Sequence, residues 1–424
     1  MVLTKLLSRV RLSIAFIYMF SFLALGLLTS MISSYLGFIG EDNPFSSIVR
    51  KWIVLLAFIC ILMSVHRRIY LEFLTKEAFF VLLIYVYYIF IVNYDLNYTV
   101  NSGVVFTSHE KKQILTRMMR LVFFPMLAGL VFRIKGLNLI RLAKAVFWSI
   151  FVSMLLAMLV MNIGLGQVVD ERLEVEGELN SLNMGYWAAA LFLLSMFLII
   201  KTENKTKYIY GFLGGVLSLY VMIIAGSRGP VFYSFIIFYY YLMNTNFSLK
   251  LKRVVIFFSL LSLLVIFVDY SVLTDLIGIY NPHLEERLIA SIETQESSGR
   301  DSIYKIAFNQ FLTRPLIGDY FVLRSGEWKG HYPHNIILEA LMTFGLVGSI
   351  PLFILFYKTM KRVHLLVKIN DERTWLALFF LLFFAKGLST WSLYGNSILW
   401  MSMFIILSYK YSNLRYEYMF KKKQ

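Results

Sequence analysis

Long apolar segments alternate with short polar connections along most of the chain. Many apolar windows run for about 20 residues with few or no charges, which is the length that an α-helix needs to cross about 30 Å of hydrocarbon. The pattern predicts about twelve membrane-spanning helices, near residues 13–36, 49–65, 78–93, 114–132, 144–163, 183–200, 208–226, 230–246, 253–268, 334–357, 374–391 and 394–409. We therefore expect an all-α fold, a polytopic bundle of transmembrane helices.

Composition agrees with this class and excludes others. Hydrophobic residues make up 59% of the 424 positions and aromatic residues 17%, far more than a soluble globular domain carries. Cys60 is the only cysteine, so neither a disulfide framework nor a thiolate metal site can form. The chain has no P-loop sequence for ATP, and we expect neither a metal ion nor another cofactor.

Basic residues concentrate in every second connection. They cluster at 66–68, 133–144, 250–253, 358–373 and 421–423, and all five segments fall on one side when the predicted helices are followed in order. Because Lys and Arg are retained on the cytoplasmic side of membranes, both termini are predicted to be cytoplasmic. The net charge of +16 is therefore a topology signal, and we expect no nucleic-acid partner.

One outer connection is much longer than the others. The chain divides into residues 1–268, with the first nine transmembrane helices, residues 269–333, a large outer loop, and residues 334–424, with the last three helices and a basic cytoplasmic tail. Within the loop, apolar residues recur at helical spacing behind Arg300 and predict an amphipathic helix that ends shortly before Pro315. A weaker amphipathic stretch lies near 284–292. Long loops with their own secondary structure are often functional. The alternative is that the loop only covers the helix bundle and has no catalytic role.

His334 opens the segment HNIILEALMTFGLVG, in which His-Asn is followed by nine residues and then Gly345-x-x-Gly348. Asn335 is able to cap the helix that follows. A helix N-terminus lowers the pKa of a histidine and keeps it neutral, so His334 is a candidate general base. A polar anchor at the membrane surface is the other interpretation of His334, and His331 is an alternative base. We expect the two glycines to let a neighbouring helix pack closely.

Two arginines are candidates for binding an anion. Arg228 lies in the turn GSRGP at 226–230, and Arg300 lies at the start of the predicted amphipathic helix. A guanidinium group fits phosphate oxygens with two parallel hydrogen bonds and stays charged at any relevant pH. Together with the helix N-terminus at His334, the two arginines are expected to form a cradle for a pyrophosphate.

Four further ionisable residues lie inside predicted spans. Arg117, Arg120, Glu339 and Lys386 all fall within roughly the outer ~10 Å of the membrane at 1.5 Å per helical residue. Such groups normally face the bundle interior or a wet cavity and pair with each other. They predict a shallow polar cavity open to the outside, in which these four residues and Asn335 support the reaction. The alternative is a purely structural ion pair between Glu339 and Lys386, with Arg117 and Arg120 as arginines that extend their charged groups to the membrane surface.

These residues resemble the O-antigen ligase and O-antigen polymerase family of bacterial membrane glycosyltransferases. The matching pieces are the GSRGP turn, the loop stretch SSGRDSIYKIAFNQFLTRPLIG and the H-N-x9-G-x-x-G segment from His334 to Gly348. The resemblance implies a helical fold like the type C class of lipid-dependent glycosyltransferases. It also implies an undecaprenyl-pyrophosphate-linked oligosaccharide donor and metal-independent, inverting transfer at the outer face of the bacterial cytoplasmic (inner) membrane. In this family comparison, Arg228 and Arg300 bind the leaving pyrophosphate and His334 activates the acceptor hydroxyl.

Three functions remain open at this point. A polymerase would join lipid-linked repeat units into O-antigen or a related surface polysaccharide, and the histidine motif favours it. A ligase would transfer the glycan to lipid A core or another acceptor. A flippase or transporter would move a substrate without catalysis. The expected partners are the lipid bilayer and the lipid-linked oligosaccharide, with a chain-length regulator as a further partner of a polymerase.

Overall fold

The structure is a computed structural model. It describes residues 12–14, 16–35, 138–162, 167–169, 172–174, 181–201, 205–225, 227–245 and 300–423, together with positions 52, 55, 83, 86, 122 and 125. The predicted spans 49–65, 78–93, 114–132 and 253–268 lie outside these residues apart from those single positions. The weaker amphipathic stretch near 284–292 also lies outside them.

The described part of the chain is mostly helical, with one short hairpin and an irregular segment at 314–335. A π-helical turn at Ser21–Leu25 leads into α1 (Gly26–Tyr35), which is followed by α2 (Leu139–Asn162), α3 (Ser181–Lys201), α4 (Lys205–Ile224) and α5 (Arg228–Asn244). After these come α6 (Arg300–Thr313), α7 (Ile336–Ile369), α8 (Thr374–Ser389), α9 (Ser397–Ser408) and α10 (Tyr411–Lys423). Between α2 and α3, β1 (Gln167–Val169) pairs antiparallel with β2 (Arg172–Glu174). The apolar pattern did not predict this hairpin.

Three helices in the described ranges are long and apolar enough to cross a membrane. They cover Leu139–Leu159, Leu182–Lys201 and Ile336–Ile369, and the shorter α4, α8 and α9 are apolar as well. The helical, membrane-integral character of the predicted fold is thus confirmed. The full set of twelve spans, the three-part division of the chain and the cytoplasmic placement of both termini stay predictions.

The helix α3 is central to the described bundle. It packs against α2, α4, α5 and α8, and its residues Ala188, Ala189 and Ala190 are fully buried. Small side chains let helix backbones approach closely inside a membrane, where packing rather than water exclusion holds helices together. This helix therefore fixes the relative positions of the elements that carry the candidate site.

The helix α6 forms where the periodic pattern predicted it. Ile303, Ala307 and Phe311 are buried on one side, and Ile303 and Ala307 share an apolar cluster with Leu323 and Met342. Met342 lies on α7, so α6 is held against the half of α7 that begins next to His334. Residues of both helices can therefore contribute to a site near His334.

The helix α7 is broken at Gly345, where φ is 59° and ψ is −165°. A Cβ at this position would lie 2.4 Å from the backbone nitrogen of Gly318, so the close approach of the turn at 315–318 requires a glycine. The expectation that Gly345 serves close packing of a neighbouring helix is therefore wrong. It accommodates a loop instead, and the helix resumes beyond it as far as Ile369, past the predicted end at 357.

Candidate active site

His334 lies immediately before α7 and is half-buried. Its φ is 54°, a left-handed conformation that costs of order 1–3 kcal/mol for a residue other than glycine. Its Nδ1 lies 3.2 Å from the backbone carbonyl oxygen of Thr390, just after α8. Since a carbonyl oxygen only accepts, this contact assigns the proton to Nδ1 and leaves Nε2 able to accept a proton. His334 therefore has the tautomer that a general base requires.

The surroundings keep this imidazole neutral. Burial lowers the pKa of His334, and the charge of Arg300 lowers it further, while the hydrogen bond to the Thr390 carbonyl opposes both effects. Burial disfavours the charged form because the imidazolium ion loses hydration. His334 is thus disposed to take up a proton from a substrate rather than to hold one at neutral pH.

Asn335 caps α7 as its position next to His334 predicted. Its Oδ1 accepts hydrogen bonds from the backbone N–H groups of Ile337 at 3.0 Å and Leu338 at 3.1 Å. Such a cap satisfies donors that the helix itself leaves free. The Oδ1 atom of Asn335 is therefore occupied in fixing the helix start next to His334.

The first residue of α6 reaches the same region. The guanidinium group of Arg300 interacts electrostatically with the imidazole of His334 and with the phenol of Tyr186. Arg300 also lies at the N-terminus of its helix, where backbone N–H groups favour an anion. The structure thus places Arg300 within electrostatic range of His334, although they lie on different elements.

The GSRGP turn approaches this region from the other side. Tyr186 shares a hydrogen bond of 3.2 Å with the hydroxyl of Ser389, which directly precedes Thr390. A Cβ on Gly229 would lie 3.2 Å from the Tyr186 hydroxyl oxygen, so the backbone of the turn lies against that hydroxyl. Arg228 begins α5 next to Gly229, while its side chain lies outside the described part. The backbone beside Arg228, the charged side chain of Arg300 and, through Ser389 and Thr390, His334 are therefore all near Tyr186.

Glu339 and Lys386 are both buried, but they do not pair with each other. Lys386 Nζ donates to Asn183 Oδ1 at 2.8 Å, and Glu339 Oε2 accepts from the backbone N–H of Leu393 at 2.8 Å. Within the described ranges no ion pair includes either residue. The alternative of a structural Glu339–Lys386 ion pair is therefore wrong, and each group has a neutral partner.

Lys386 lies beside Tyr186 and forms no ion pair with a carboxylate of the described residues. The residue is 5% exposed, and its ammonium lies over three aromatic rings, 3.9 Å from the ring centre of Trp391, 5.1 Å from that of Tyr186 and 5.6 Å from that of Phe383. Aromatic faces attract a cation but do not neutralise it. A buried cation with this set of partners is suited to a negatively charged ligand.

Aromatic side chains surround His334 on the loop side. The ring of Tyr332 lies 4.4 Å from the imidazole and 6.1 Å from the ring of Tyr394, and Tyr394 also contacts Phe321. Partly exposed aromatic rings next to a candidate base offer flat surfaces for a sugar ring. His331, the alternative base, contacts Trp328 instead.

Two of the predicted site residues lie outside the described part of the chain, and two residues near His334 were not predicted to belong to the site. Arg117 and Arg120 lie outside the described residues, so their support of the site stays a prediction. In the ranges that are described, no group of three or more His, Cys, Asp or Glu side chains is arranged to hold a metal ion. Tyr186 and Asn183 were missed because an aromatic or amide residue near the end of an apolar segment is also typical of a membrane interface.

Comparison with known proteins points to one family. Residues 213–353 match the family model described as O-antigen ligase. This range contains the GSRGP turn, α6 with Arg300, His334 and the break in α7. The resemblance to the O-antigen ligase and polymerase family is thus confirmed over this domain. Comparison with curated protein sequences gives no match.

Proposed function

We propose that the protein is a polymerase that transfers an oligosaccharide from an undecaprenyl-pyrophosphate carrier to a second lipid-linked oligosaccharide, extending O-antigen or a related surface polysaccharide. The observation that carries this proposal is the convergence of the GSRGP turn, the start of α6 and His334 around Tyr186. The match to the O-antigen ligase family supports the general type of reaction.

The proposed reaction is a direct displacement. The acceptor hydroxyl gives its proton to Nε2 of His334 while its oxygen forms a bond to the anomeric carbon. The bond from that carbon to the pyrophosphate oxygen breaks, and the departing oxygen keeps the electron pair. Attack from the face opposite the leaving group inverts the configuration of the anomeric carbon.

Arg228 and Arg300 act on the leaving group in this scheme. Negative charge on the lipid pyrophosphate grows as the glycosidic bond breaks, so fixed guanidinium groups stabilise the transition state more than the ground state. Two such groups supply the charge that a metal ion supplies in other transferases, and the proposed mechanism is therefore metal-independent. Lys386 adds a third cation at the edge of the same region.

The proposed location is the bacterial inner membrane, with the site facing the periplasm or exterior. The positive-inside pattern of the chain supports this orientation, since His334 lies at the opposite end of its span from the basic segment 358–373. The donor would come from the bilayer itself, and a chain-length regulator would be a partner only of a polymerase.

A ligase is the second candidate, because the matching family model is described as O-antigen ligase. It would use the same arginines and the same base with lipid A core or another acceptor. The H-N-x9-G-x-x-G segment, which resembles the polymerase motif, favours the polymerase. A flippase without catalysis gives no role to a neutral imidazole with a free Nε2.

The test uses purified protein in detergent with one lipid-pyrophosphate-linked oligosaccharide and no other acceptor, and the products are separated on a gel. A ladder of lengths would support the polymerase. Transfer only after lipid A core or another acceptor is added would support the ligase and contradict the polymerase. No transfer under either condition by folded protein would contradict a glycosyltransferase.

A further inference from the structure

The break in α7 lies inside its membrane-spanning part. Beyond Gly345 the helix stays apolar until Lys358, the first charged residue, about 20 Å further along the axis at 1.5 Å per residue. The hydrocarbon core of a bilayer is about 30 Å thick. If the charge at Lys358 marks one surface of this core, Gly345 lies about 10 Å below the other surface, on the side of His334.

The turn after α6 supplies the backbone partners that the broken helix needs. The N–H of Leu346 donates to the carbonyl oxygen of Pro315 at 2.8 Å, and the N–H of Val347 donates to that of Leu316 at 3.0 Å. Irregular backbone at membrane depth is tolerated only where its polar groups are satisfied by protein or face a wet cavity. The turn at 315–318 therefore lies at the same depth as the break.

The outward side of this turn is apolar and open. Leu316 is 63% exposed and Ile317 is 60% exposed. The open apolar surface continues along α6 in one direction and along α7 in the other. We call this surface the apolar wedge, and it consists of Phe308, Leu312, Leu316, Ile317, Leu346 and Val347.

Two arginines beside the wedge share one carboxylate. Arg314 precedes the turn and Asp319 follows it, and their side chains approach to 3.8 Å, while Arg324 lies 3.0 Å from the same carboxylate oxygen of Asp319. Neighbouring charges that pair with each other lower the cost of placing this turn in a medium of low dielectric constant. Pairing with Asp319 therefore lowers the cost of removing the turn from water, and the three side chains together keep one net positive charge.

We propose that the apolar wedge is inserted among the acyl chains of the leaflet on the His334 side. The exposed apolar surface continues along α7 through Ile350, Ile354 and Tyr357. On a membrane-spanning helix such a surface favours lipid as the occupant. The helix α6 then descends into the bilayer, with Arg300 near His334 at its first residue and its last turn among lipid chains. The proposal rests on the proposed function only for naming the leaflet, and for the consequence that a lipid-linked donor and α6 share it.

The test places spin labels on single cysteines in proteoliposomes. In a Cys60→Ser background, Leu316→Cys and Ile317→Cys report on the wedge, and Lys329→Cys in the exposed loop before His334 is the matched control. Oxygen concentrates in hydrocarbon, whereas a nickel chelate stays in water. We expect labels at 316 and 317 to collide more often with oxygen than with the chelate, and the label at 329 to show the reverse order.

Two outcomes would overturn the inference. Free collision of the chelate with the labels at 316 and 317 would place the turn in water. Protection of both labels from both reagents would mean that protein, not lipid, covers the wedge. The readout does not depend on glycan transfer, so an inactive preparation or a wrong assignment of function leaves the result interpretable.

Discussion

Two polar clusters, one beyond the C-terminal end of α7 and one near His334, differ in whether their positive charges are paired with carboxylates. Beyond the end of α7, Arg373 bonds to Asp371 and to Glu417 of α10, so the protein neutralises this cation itself. Near His334, neither Arg300 nor Lys386 forms an ion pair with any carboxylate of the described residues. The difference separates a structural cluster from a candidate ligand site.

The effects on the ionisable groups follow the same division. Burial alone would lower the pKa of Arg373, but its hydrogen bonds to Asp371 and Glu417 prevail and raise it. Burial lowers the pKa of His334, and the nearby cationic Arg300 adds to the effect because no carboxylate offsets it. This difference is what we expect if the Arg373 cluster is structural and the cluster near His334 binds an anion.

Removing the base should have the largest effect. His334→Ala should lower glycan transfer by about 10²–10⁴-fold, the usual contribution of a general base, with membrane insertion unchanged. The matched control is His331→Ala, whose ring contacts Trp328 and should keep most of the activity. Loss of transfer in His331→Ala with full activity in His334→Ala would move the base to His331.

Neutralising an arginine of the site should come next. Arg300→Gln should lower kcat by about 10²–10³-fold, as loss of a fixed group that stabilises developing charge typically does, and Arg228→Gln should do the same. Lysine should rescue poorly at either position because it lacks the planar fork. Single-turnover rates at saturating donor measure this effect, and unchanged rates in either Gln variant would remove that arginine from the site.

Removing the uncompensated ammonium should have a smaller effect that concerns binding. Lys386→Met keeps the length of the side chain and its contacts with Trp391 and Phe383, so the bundle should stay folded. The KM for the donor should rise about tenfold, which corresponds to losing about 1.4 kcal/mol of a charge-assisted contact. A lower melting temperature with unchanged KM would make Lys386 a purely structural residue.

The acid side of the pH profile should show the smallest effect. The pKa of His334 lies below its usual value near 6.5, so the imidazole stays neutral through pH 7 and is protonated only at lower pH. Transfer should therefore be constant from neutral pH down to about pH 6.5 and should fall only below that value. An acid limb already centred above pH 7 in kcat/KM would mean that a different group is titrating.

The apolar pattern predicted the helices better than it predicted their contacts. The bounds of α3 and α4 lie within a few residues of the predicted spans, because bilayer thickness sets the length of an apolar run. The start of α7 was predicted because Asn335 caps through its own side chain. Both predictions depend on interactions local to one segment.

The contacts that the sequence did not predict depend on tertiary structure. Distance along a helix gave the depths of Glu339 and Lys386 but not the direction of their side chains, and the two groups bond to other partners. The insertion of a turn at Gly345 joins segments that the sequence separates. The partner of His334 is a backbone carbonyl, which any residue at position 390 would provide. No pattern of side chains in the sequence could therefore predict this hydrogen bond.

The central claim is that the unneutralised cluster binds a lipid pyrophosphate, and binding of undecaprenyl pyrophosphate to protein in nanodiscs tests it most directly. Arg300→Gln should bind about tenfold or more weakly than the wild type. The matched control Arg373→Gln should lose about 1 kcal/mol of stability, because its ion pairs are partly exposed, and should bind as tightly as the wild type. Equal binding by the wild type and Arg300→Gln, or selective loss in Arg373→Gln, would contradict the account.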